Sequence, residues 1–180
     1  MPRLLIELAQ RFFLCKGYLI SIRYPFKMRR QGKGGKIIEL TKFVDILAYR
    51  RNELILIRCA SFKNVRRIKR AVQKLKLWFK AAENYLEEEI ANGKFPANNI
   101  KFIRRVIIIP DEELEKRTDL LNVLKSQGIN VITASTILSE LEKCIEEREA
   151  IRSGEERGEG DLFLSLIRFT LRYGVRNNAQ

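Results

Sequence analysis

Two apolar segments, residues 43–49 and 54–60, flank a polar stretch at residues 50–53. Each segment is rich in Ile, Leu, Val and aromatic residues, and such a pair around a short polar stretch is typical of a β-hairpin. We therefore predict two antiparallel strands joined by a two-residue turn at Arg51 and Asn52. This hairpin limits the folds open to the chain more than any other feature of the sequence.

A single acidic side chain, Asp45, interrupts the first of these strands. Burying a carboxylate in an apolar strand costs free energy unless another group pairs with it. The hairpin register places Arg58 directly opposite, within cross-strand reach of that carboxylate. Because side chains alternate between the two faces of a strand, Asp45, Arg58 and Ala60 are expected on one face. What this face does is the main question that the sequence raises.

Length and composition restrict the class of protein. A chain of 180 residues with 46% hydrophobic and 32% charged residues is typical of one soluble, globular domain with a sizeable core. No apolar run is long enough to span a membrane. Glu7 also interrupts the amino-terminal apolar segment where a signal peptide would continue. We therefore expect a cytoplasmic protein with no membrane partner.

Histidine is absent, and the three cysteines, Cys15, Cys59 and Cys144, are widely spaced. The absence of histidine excludes Ser–His and Cys–His catalytic pairs and histidine metal ligands. The odd number and the spacing of the cysteines favour free thiols over a disulfide framework. Any catalysis would have to use carboxylates, lysines or an oxygen-ligated ion.

The formal charge of +13 is concentrated in the first part of the chain. Residues 1–80 contain 21 Lys and Arg against 4 Asp and Glu, whereas residues 81–180 contain 14 against 18. This asymmetry is larger than solubility requires, and it indicates a polyanionic partner. We therefore predict that the protein binds nucleic acid.

Hydrophobic periodicity predicts alternating helices and strands along the chain. The expected helices cover residues 2–16, 64–92 with Asn64 as cap, 111–127, and from Ser135 or Thr136 to about residue 151. The expected strands cover residues 18–24, which end at Pro25, and residues 37–49, 54–61, 100–109 and 129–133. The predicted fold is an α/β domain over residues 1–152, with a mixed central sheet flanked by helices.

Basic residues cluster in two segments. Residues 27–36 form a predicted glycine-rich loop, and residues 66–70 lie near the start of the predicted long helix. A flexible basic loop can follow a phosphate backbone, and a basic helix surface can contact the same backbone. The candidate phosphate contacts are Lys27, Arg29, Arg30, Lys33, Lys36, Arg66, Arg67 and Arg70.

The carboxyl-terminal part of the chain has a different composition. Residues 153–160 (SGEERGEG) have the composition of a flexible linker. They precede a segment, residues 161–180, that begins with a predicted apolar amphipathic helix over residues 161–173. This helix needs a groove to cover it, which could belong to its own domain or to a second subunit of a homodimer. The sequence leaves both possibilities open.

The order helix, strand, basic loop, hairpin, long helix, strand, helix, strand resembles the restriction-endonuclease-like fold. It is most similar to the archaeal Holliday-junction resolvases and related PD-(D/E)xK nucleases, over roughly residues 5–140. In that family a helix glutamate precedes a Gly-Tyr pair, as Glu7 precedes Gly17 and Tyr18 here. A strand aspartate then follows a basic, glycine-rich loop, and Asp45 occupies that place.

The family's Glu-x-Lys triplet falls on Arg58, Cys59 and Ala60. The resemblance implies that the glutamate of an active relative holds a divalent ion together with the aspartate, and that the lysine positions the attacking water. A guanidinium at position 58 puts a fixed positive charge where that ion would lie, and Ala60 supplies no ammonium. The site formed by Glu7, Asp45, Arg58 and Ala60 is therefore degenerate, and we expect no metal or other cofactor.

These features predict a nucleic-acid-binding protein with a nuclease fold that has lost its chemistry. Double-stranded or branched DNA is the ligand that the resemblance implies. An active Mg²⁺-dependent endonuclease or junction resolvase is the first alternative, with Glu7 and Glu39 joining Asp45. Lys42 or Lys63 would then replace the family's lysine. A protein-interaction module, acting through the tethered helix or the acidic half, is the second alternative.

Overall fold

The computed structural model describes residues 2–31, 33–63, 65–97 and 99–152. These residues form an α/β fold, as the sequence predicted. The helices are α1 (Pro2–Cys15), α2 (Ile68–Ala91), α3 (Asp111–Glu115), α4 (Thr118–Lys125) and α5 (Ala134–Arg152). The strands are β1 (Leu19–Gln31), β2 (Ile37–Arg50), β3 (Glu53–Cys59), β4 (Phe102–Ile109) and β5 (Asn130–Thr133).

The five strands form one open, mixed sheet in the order β1-β2-β3-β4-β5. Strands β1, β2 and β3 are antiparallel neighbours, whereas β3, β4 and β5 run parallel. Helices α2 and α4 cover one face, and α1 and α5 cover the other, each over its own buried apolar cluster. The apolar residues 106–109 of β4 are buried because both faces of this central strand carry a core.

The register of the β2–β3 hairpin is the one that the sequence predicted. Leu47 pairs with Leu56, and Arg50 pairs with Glu53. Arg51, in the turn, has a left-handed backbone with φ of 57°. Two-residue hairpin turns commonly need a positive φ because their twist then matches that of the strands.

Strand β1 is longer than predicted, because it continues through Pro25 to Gln31. Proline lacks the N–H that a central strand would use, but in the described part of the chain β1 is an edge strand with a partner on one side only. The predicted basic loop at residues 27–36 is therefore mostly strand, and only a short turn at Lys33–Gly35 joins β1 to β2. The expectation of a long flexible loop was wrong.

Helix α2 begins at Ile68, four residues later than predicted, and ends at Ala91 with Asn92 as its cap. The guanidinium of Arg117 explains the late start, because it donates hydrogen bonds to the backbone carbonyls of Val65, at 2.7 Å, and Lys63, at 3.2 Å. These carbonyls are thereby held outside the helix. The N-cap residue is Arg67, which makes no side-chain cap bond, and Asn64 lies outside the described residues.

The single helix predicted over residues 111–127 is two helices, α3 and α4, with a break at residues 116–117. Glu113 in α3 is buried, and its carboxylate accepts hydrogen bonds from the Ser61 hydroxyl and the Phe62 N–H. Arg117 in the break reaches the segment before α2. Contacts to the segment after β3 thus stop α3 after five residues.

The final helix, α5, is capped by Thr133 and not by Ser135 or Thr136. The Thr133 hydroxyl accepts the N–H of Thr136 at 3.2 Å, in the position of an N-cap bond. Ser135 instead donates its N–H, at 2.9 Å, and its hydroxyl to Asp111.

Cys15 and Cys144 are joined by a disulfide, with their Cα atoms 6.4 Å apart. The expectation of three free thiols was therefore wrong. Packing of α1 against α5 brings together two residues that are 129 positions apart in sequence, which spacing alone cannot predict. Cys59 is a free thiol, and burial raises its pKa to about 12.

The predicted linker at residues 153–160 and the predicted helix at residues 161–173 lie outside the described residues. Within the described part of the chain, none of the helices combines the length and the apolar character that crossing a membrane requires.

Candidate nucleic-acid interface

A wide groove runs between the β1–β2 hairpin and helix α2, and we call it the hairpin–helix groove. Its volume is about 960 Å³. Met28 and Arg29 of β1 and Lys42 of β2 line one side, and Lys74 and Lys80 of α2 line the other. The long hairpin forms this wall because the pairing of β1 with β2 continues to Gln31–Ile37, well beyond the point where β3 ends.

Every charged side chain among the described residues that line the hairpin–helix groove is cationic. These side chains are Arg29, Lys42, Arg58, Lys74 and Lys80. None of the described residues that line the groove is Asp or Glu. Apolar side chains form much of the rest of the lining, including Leu75 and Trp78 from the core. A groove with an apolar floor and cationic walls suits a polyanion that also presents uncharged surface.

The predicted contacts on the hairpin are placed along its two strands. Lys27 and Arg29 lie on β1, and both contact Glu39 on β2, at 3.0 Å from the lysine Nζ and 3.7 Å from the arginine Nε. Hydrogen bonding by Lys27 lowers the pKa of Glu39, and the same contact raises the pKa of Lys27. Lys36 is exposed next to the turn. By their backbone positions, Arg30 belongs to β1 and Lys33 belongs to the turn.

The predicted contacts near α2 are also exposed. Arg66 and Arg67 precede the helix, and Arg70 is in its first turn. Arg66 lines a shallow depression of about 630 Å³ together with Lys63 and Arg117. No Asp or Glu is among the described residues that line this depression, so the cationic surface extends beyond the groove.

Asp45 lies at the point where the strands of the sheet separate. Its Oδ2 accepts the backbone N–H of Cys59 at 2.8 Å, at the end of β3. On the other side, the β1–β2 ladder has no pair between Ile22–Ile46 and Tyr24–Val44, where Asp45 would face Arg23. Arg23 has a φ of 53°, which is unusual for a residue other than glycine.

The alternation of side chains breaks at Asp45. Val44 and Leu47 both pack into the cluster beneath α2, while Ile46 packs into the cluster beneath α1 and α5. Arg58 and Ala60 are on the α2 side, as the period of two predicts, because Arg58 lies over Trp78 and Ala60 packs against the α2 cluster. Side chains therefore do not alternate strictly at this point of β2. The rule of alternation does not determine the face on which Asp45 lies.

The expected ion pair between Asp45 and Arg58 does not form within the described residues. Arg58 instead stacks on the indole of Trp78, with 4.6 Å between its Cζ and the ring centroid. Burial raises the pKa of Asp45 and outweighs the Cys59 hydrogen bond and the charges of Arg58 and Arg23, which act to lower it. The two arginines thus act on Asp45 through space and not through a direct bond.

The carboxylates that the sequence offered as metal ligands have other partners among the described residues. Glu7 contacts Arg3 at 3.4 Å, and Glu39 is held by Lys27. In the part of the chain that the structure describes, no three Asp, Glu, Cys or His side chains come together as metal ligands. Magnesium needs several oxygen ligands around one point, and Asp45 is accompanied here by guanidinium groups.

A second cavity opens beside Asp45, and we call it the Asp45 pocket. Its volume is about 620 Å³, and it shares Lys42, Arg58 and Trp78 with the hairpin–helix groove. Arg23 also lines it. The two cavities therefore form a continuous cationic surface from the groove to Asp45. Lys42, one of the alternatives for the family's lysine, borders this pocket, while Lys63 lines the separate depression near Arg117.

Sequence reasoning missed several residues that the fold brings to these cavities. Arg23 follows from the β1–β2 register, which the sequence pattern did not define. The sequence shows Lys74 and Lys80 as part of a basic helix. It does not show which face of α2 meets the hairpin. The spacing of 74 and 80 from the buried Leu75 and Trp78 could have indicated that they flank the core-facing side of α2.

The comparisons with known proteins add no relative. No family model matches the chain, and neither the curated proteins nor the solved structures compared with it give a match.

Proposed function

We propose that this protein binds nucleic acid, with duplex or branched DNA as its ligand, through the hairpin–helix groove. The observation that carries the proposal is the charge of the groove, whose walls contribute five cations and, among the described residues, no carboxylate. Each Lys or Arg that neutralises a phosphate releases condensed counterions, and this release is a main source of affinity for nucleic acid.

The length of the groove allows it to follow part of a duplex backbone. The groove residues on α2 run from Ala71 to Asn84, which corresponds to a length of about 20 Å at 1.5 Å per residue. One turn of duplex DNA is about 34–36 Å long. The groove can therefore contact the backbone over about half a helical turn.

We further propose that the chain has a restriction-endonuclease-like fold without metal-dependent cleavage. The mixed sheet order and the register of the β2–β3 hairpin are compatible with that fold. The arrangement at Asp45 supports the loss of chemistry. A cation stacked on Trp78 occupies the strand position where an active relative would have a carboxylate, and Ala60 offers no ammonium.

Binding is tested by fluorescence anisotropy with labelled duplex, single-stranded and four-way-junction DNA over a range of NaCl concentrations. We expect the logarithm of the association constant to fall linearly with the logarithm of salt concentration. The variant Lys74→Gln/Lys80→Gln removes two cations from the groove. Its salt slope should be smaller than that of the wild type by about 1–2, and its affinity should be at least about tenfold lower.

The matched control is Lys116→Gln/Lys125→Gln, which removes two exposed cations that line none of the cavities described above. If the two double variants lose affinity equally, or if binding of the wild type does not depend on salt, the groove is not the interface.

Cleavage is tested separately by incubating plasmid and junction DNA with Mg²⁺ or Mn²⁺. We expect no cleavage above that of the Asp45→Ala variant. Metal-dependent cleavage that Asp45→Ala abolishes would establish the active nuclease and refute the loss of chemistry.

A further inference from the structure

The Asp45 pocket contains two arginines that each stack on an aromatic ring. Surface positive charge alone does not explain this arrangement. The guanidinium of Arg58 lies on the ring of Trp78 at 4.6 Å, and that of Arg23 lies on the ring of Phe43 at 5.1 Å. Both arginines, both rings and Asp45 line the same pocket. Aromatic surfaces therefore support two guanidinium groups on either side of one carboxylate.

Within the described residues, the guanidinium group of neither Arg23 nor Arg58 makes a hydrogen bond or an ion pair. The Asp45 carboxylate between them accepts the Cys59 N–H at its Oδ2. Stacking on a ring satisfies the face of a guanidinium but not its N–H groups, which lie in its plane and match the oxygens of a phosphate.

The charge of the pocket favours an anionic occupant. Lys42 and Arg3 also line it, and Asp45 is the one acidic residue among its described lining residues. Arg3 is partly neutralised by Glu7, at 3.4 Å. Arg23, Arg58 and Lys42 still exceed the single carboxylate, so an oxyanion that enters the pocket meets net positive charge.

We propose that the Asp45 pocket binds a phosphate group of the nucleic-acid strand, with Arg23 and Arg58 as its direct ligands. This inference rests on the proposed function, because the hairpin–helix groove leads into the pocket through Lys42, Arg58 and Trp78. The pocket holds the phosphate without bond making or breaking.

A phosphate in this pocket has two sources, a terminal phosphomonoester or an internal phosphodiester. Three duplexes of one sequence distinguish them: a linear duplex with 5′-phosphates, the same duplex with 5′-hydroxyls, and a covalently closed dumbbell without ends. Tighter binding of the first duplex alone assigns the pocket to the strand end. Equal binding of all three, with equal losses in the variants below, assigns it to an internal phosphate.

The test variants are Arg58→Gln and Arg23→Asn, measured by anisotropy at about 0.1 M salt. Asparagine is chosen at position 23 because it tolerates the positive φ there. Each variant should weaken binding by about tenfold or more. Arg51→Asn is the matched control, since Arg51 is an exposed arginine with a φ of 57° at the distant hairpin turn. Thermal unfolding of each variant checks that it is folded.

A third variant gives an effect of opposite sign that misfolding cannot imitate. Asp45→Asn keeps an oxygen acceptor for the Cys59 N–H but removes the negative charge beside the phosphate. It should tighten binding by about threefold to tenfold. If Arg23→Asn and Arg58→Gln bind like Arg51→Asn while Lys74→Gln/Lys80→Gln still weakens binding, the phosphate pocket is refuted and the groove stands. If the wild type binds none of the DNA ligands, the proposed function itself fails.

Discussion

The carboxylate of Asp45 accepts the backbone N–H of Cys59 at 2.8 Å, where the β2–β3 ladder ends. This hydrogen bond attaches an acidic side chain of one strand to the last residue of its neighbour. The neighbouring Arg58 makes no ion pair with this carboxylate among the described residues, and its guanidinium stacks on Trp78. The consequences for pH, binding and stability can be measured.

The stability of the protein should depend on the ionisation of Asp45. Burial raises its pKa, so the folded state prefers the neutral form more than the unfolded state does. The contribution of Asp45 to stability is therefore highest below the ordinary pKa of 3.8 and is lost as the pH rises through the raised value. Asp45→Asn removes this dependence, and its advantage over the wild type should grow from about pH 4 upwards. Urea unfolding at several pH values checks this, and a difference that does not change with pH would contradict it.

Glu39 should weaken nucleic-acid binding in the wild type. Its carboxylate holds Lys27 at 3.0 Å and Arg29 at 3.7 Å on the hairpin. The pKa of Glu39 is lowered by Lys27, so this residue stays ionised at neutral pH. Glu39→Gln releases both cations, and affinity for duplex DNA should rise by about threefold to tenfold at low salt. Glu146→Gln is the control. It makes the same charge change at an exposed position on α5, which covers the opposite face of the sheet. An equal gain in both variants would show a general charge effect.

The disulfide between Cys15 and Cys144 should stabilise the domain by constraining the unfolded chain. It closes a loop with a sequence separation of 129 residues, for which the chain-entropy argument gives about 3–5 kcal/mol. Reductant should therefore lower the midpoint of denaturant unfolding for the wild type but not for Cys15→Ser/Cys144→Ser. Mass spectrometry of the unreduced protein provides an independent check, and three free thiols in every molecule would disprove the bond.

The ion pair between Glu83 of α2 and Arg105 of β4 should contribute to stability. Two hydrogen bonds of 2.5 Å join the guanidinium and the carboxylate, and both side chains are largely buried. Glu83→Gln leaves the arginine without its charged partner, which should lower the free energy of unfolding by about 1–3 kcal/mol. Glu87→Gln, at an exposed position one turn further along α2, should change it by less than about 0.5 kcal/mol. Equal effects of the two substitutions would show that the pair contributes nothing specific.

Local patterns predicted the hairpin most reliably. The register that pairs Leu47 with Leu56 follows from two apolar runs and a short turn, because these interactions are between near neighbours in sequence. The late start of α2 could not be predicted in the same way. It depends on Arg117, which is 52 residues from Val65 and binds its carbonyl only once the chain is folded.

The same distinction applies to the candidate site. Asp45, Arg58 and the basic segments stand out in the sequence as charges in unusual places. The sequence did not indicate that Arg23 lies opposite Asp45, since that depends on the β1–β2 pairing. It also depends on an interruption of this ladder at Arg23, whose φ is 53°. It also did not indicate that Trp78 would support the Arg58 side chain, since α2 and β3 meet only through packing on the sheet.

The sequence by itself determined the α/β class, the hairpin register and the uneven charge of this protein, because hydrophobic period, turn residues and side-chain charge are properties of short segments. Only the tertiary structure decided that Pro25 lies within an edge strand, that Cys15 meets Cys144, and which cations share a groove. The physical reason is that these contacts join residues far apart in the chain. Their geometry is set by how strands pair and how helices pack on both faces of the sheet.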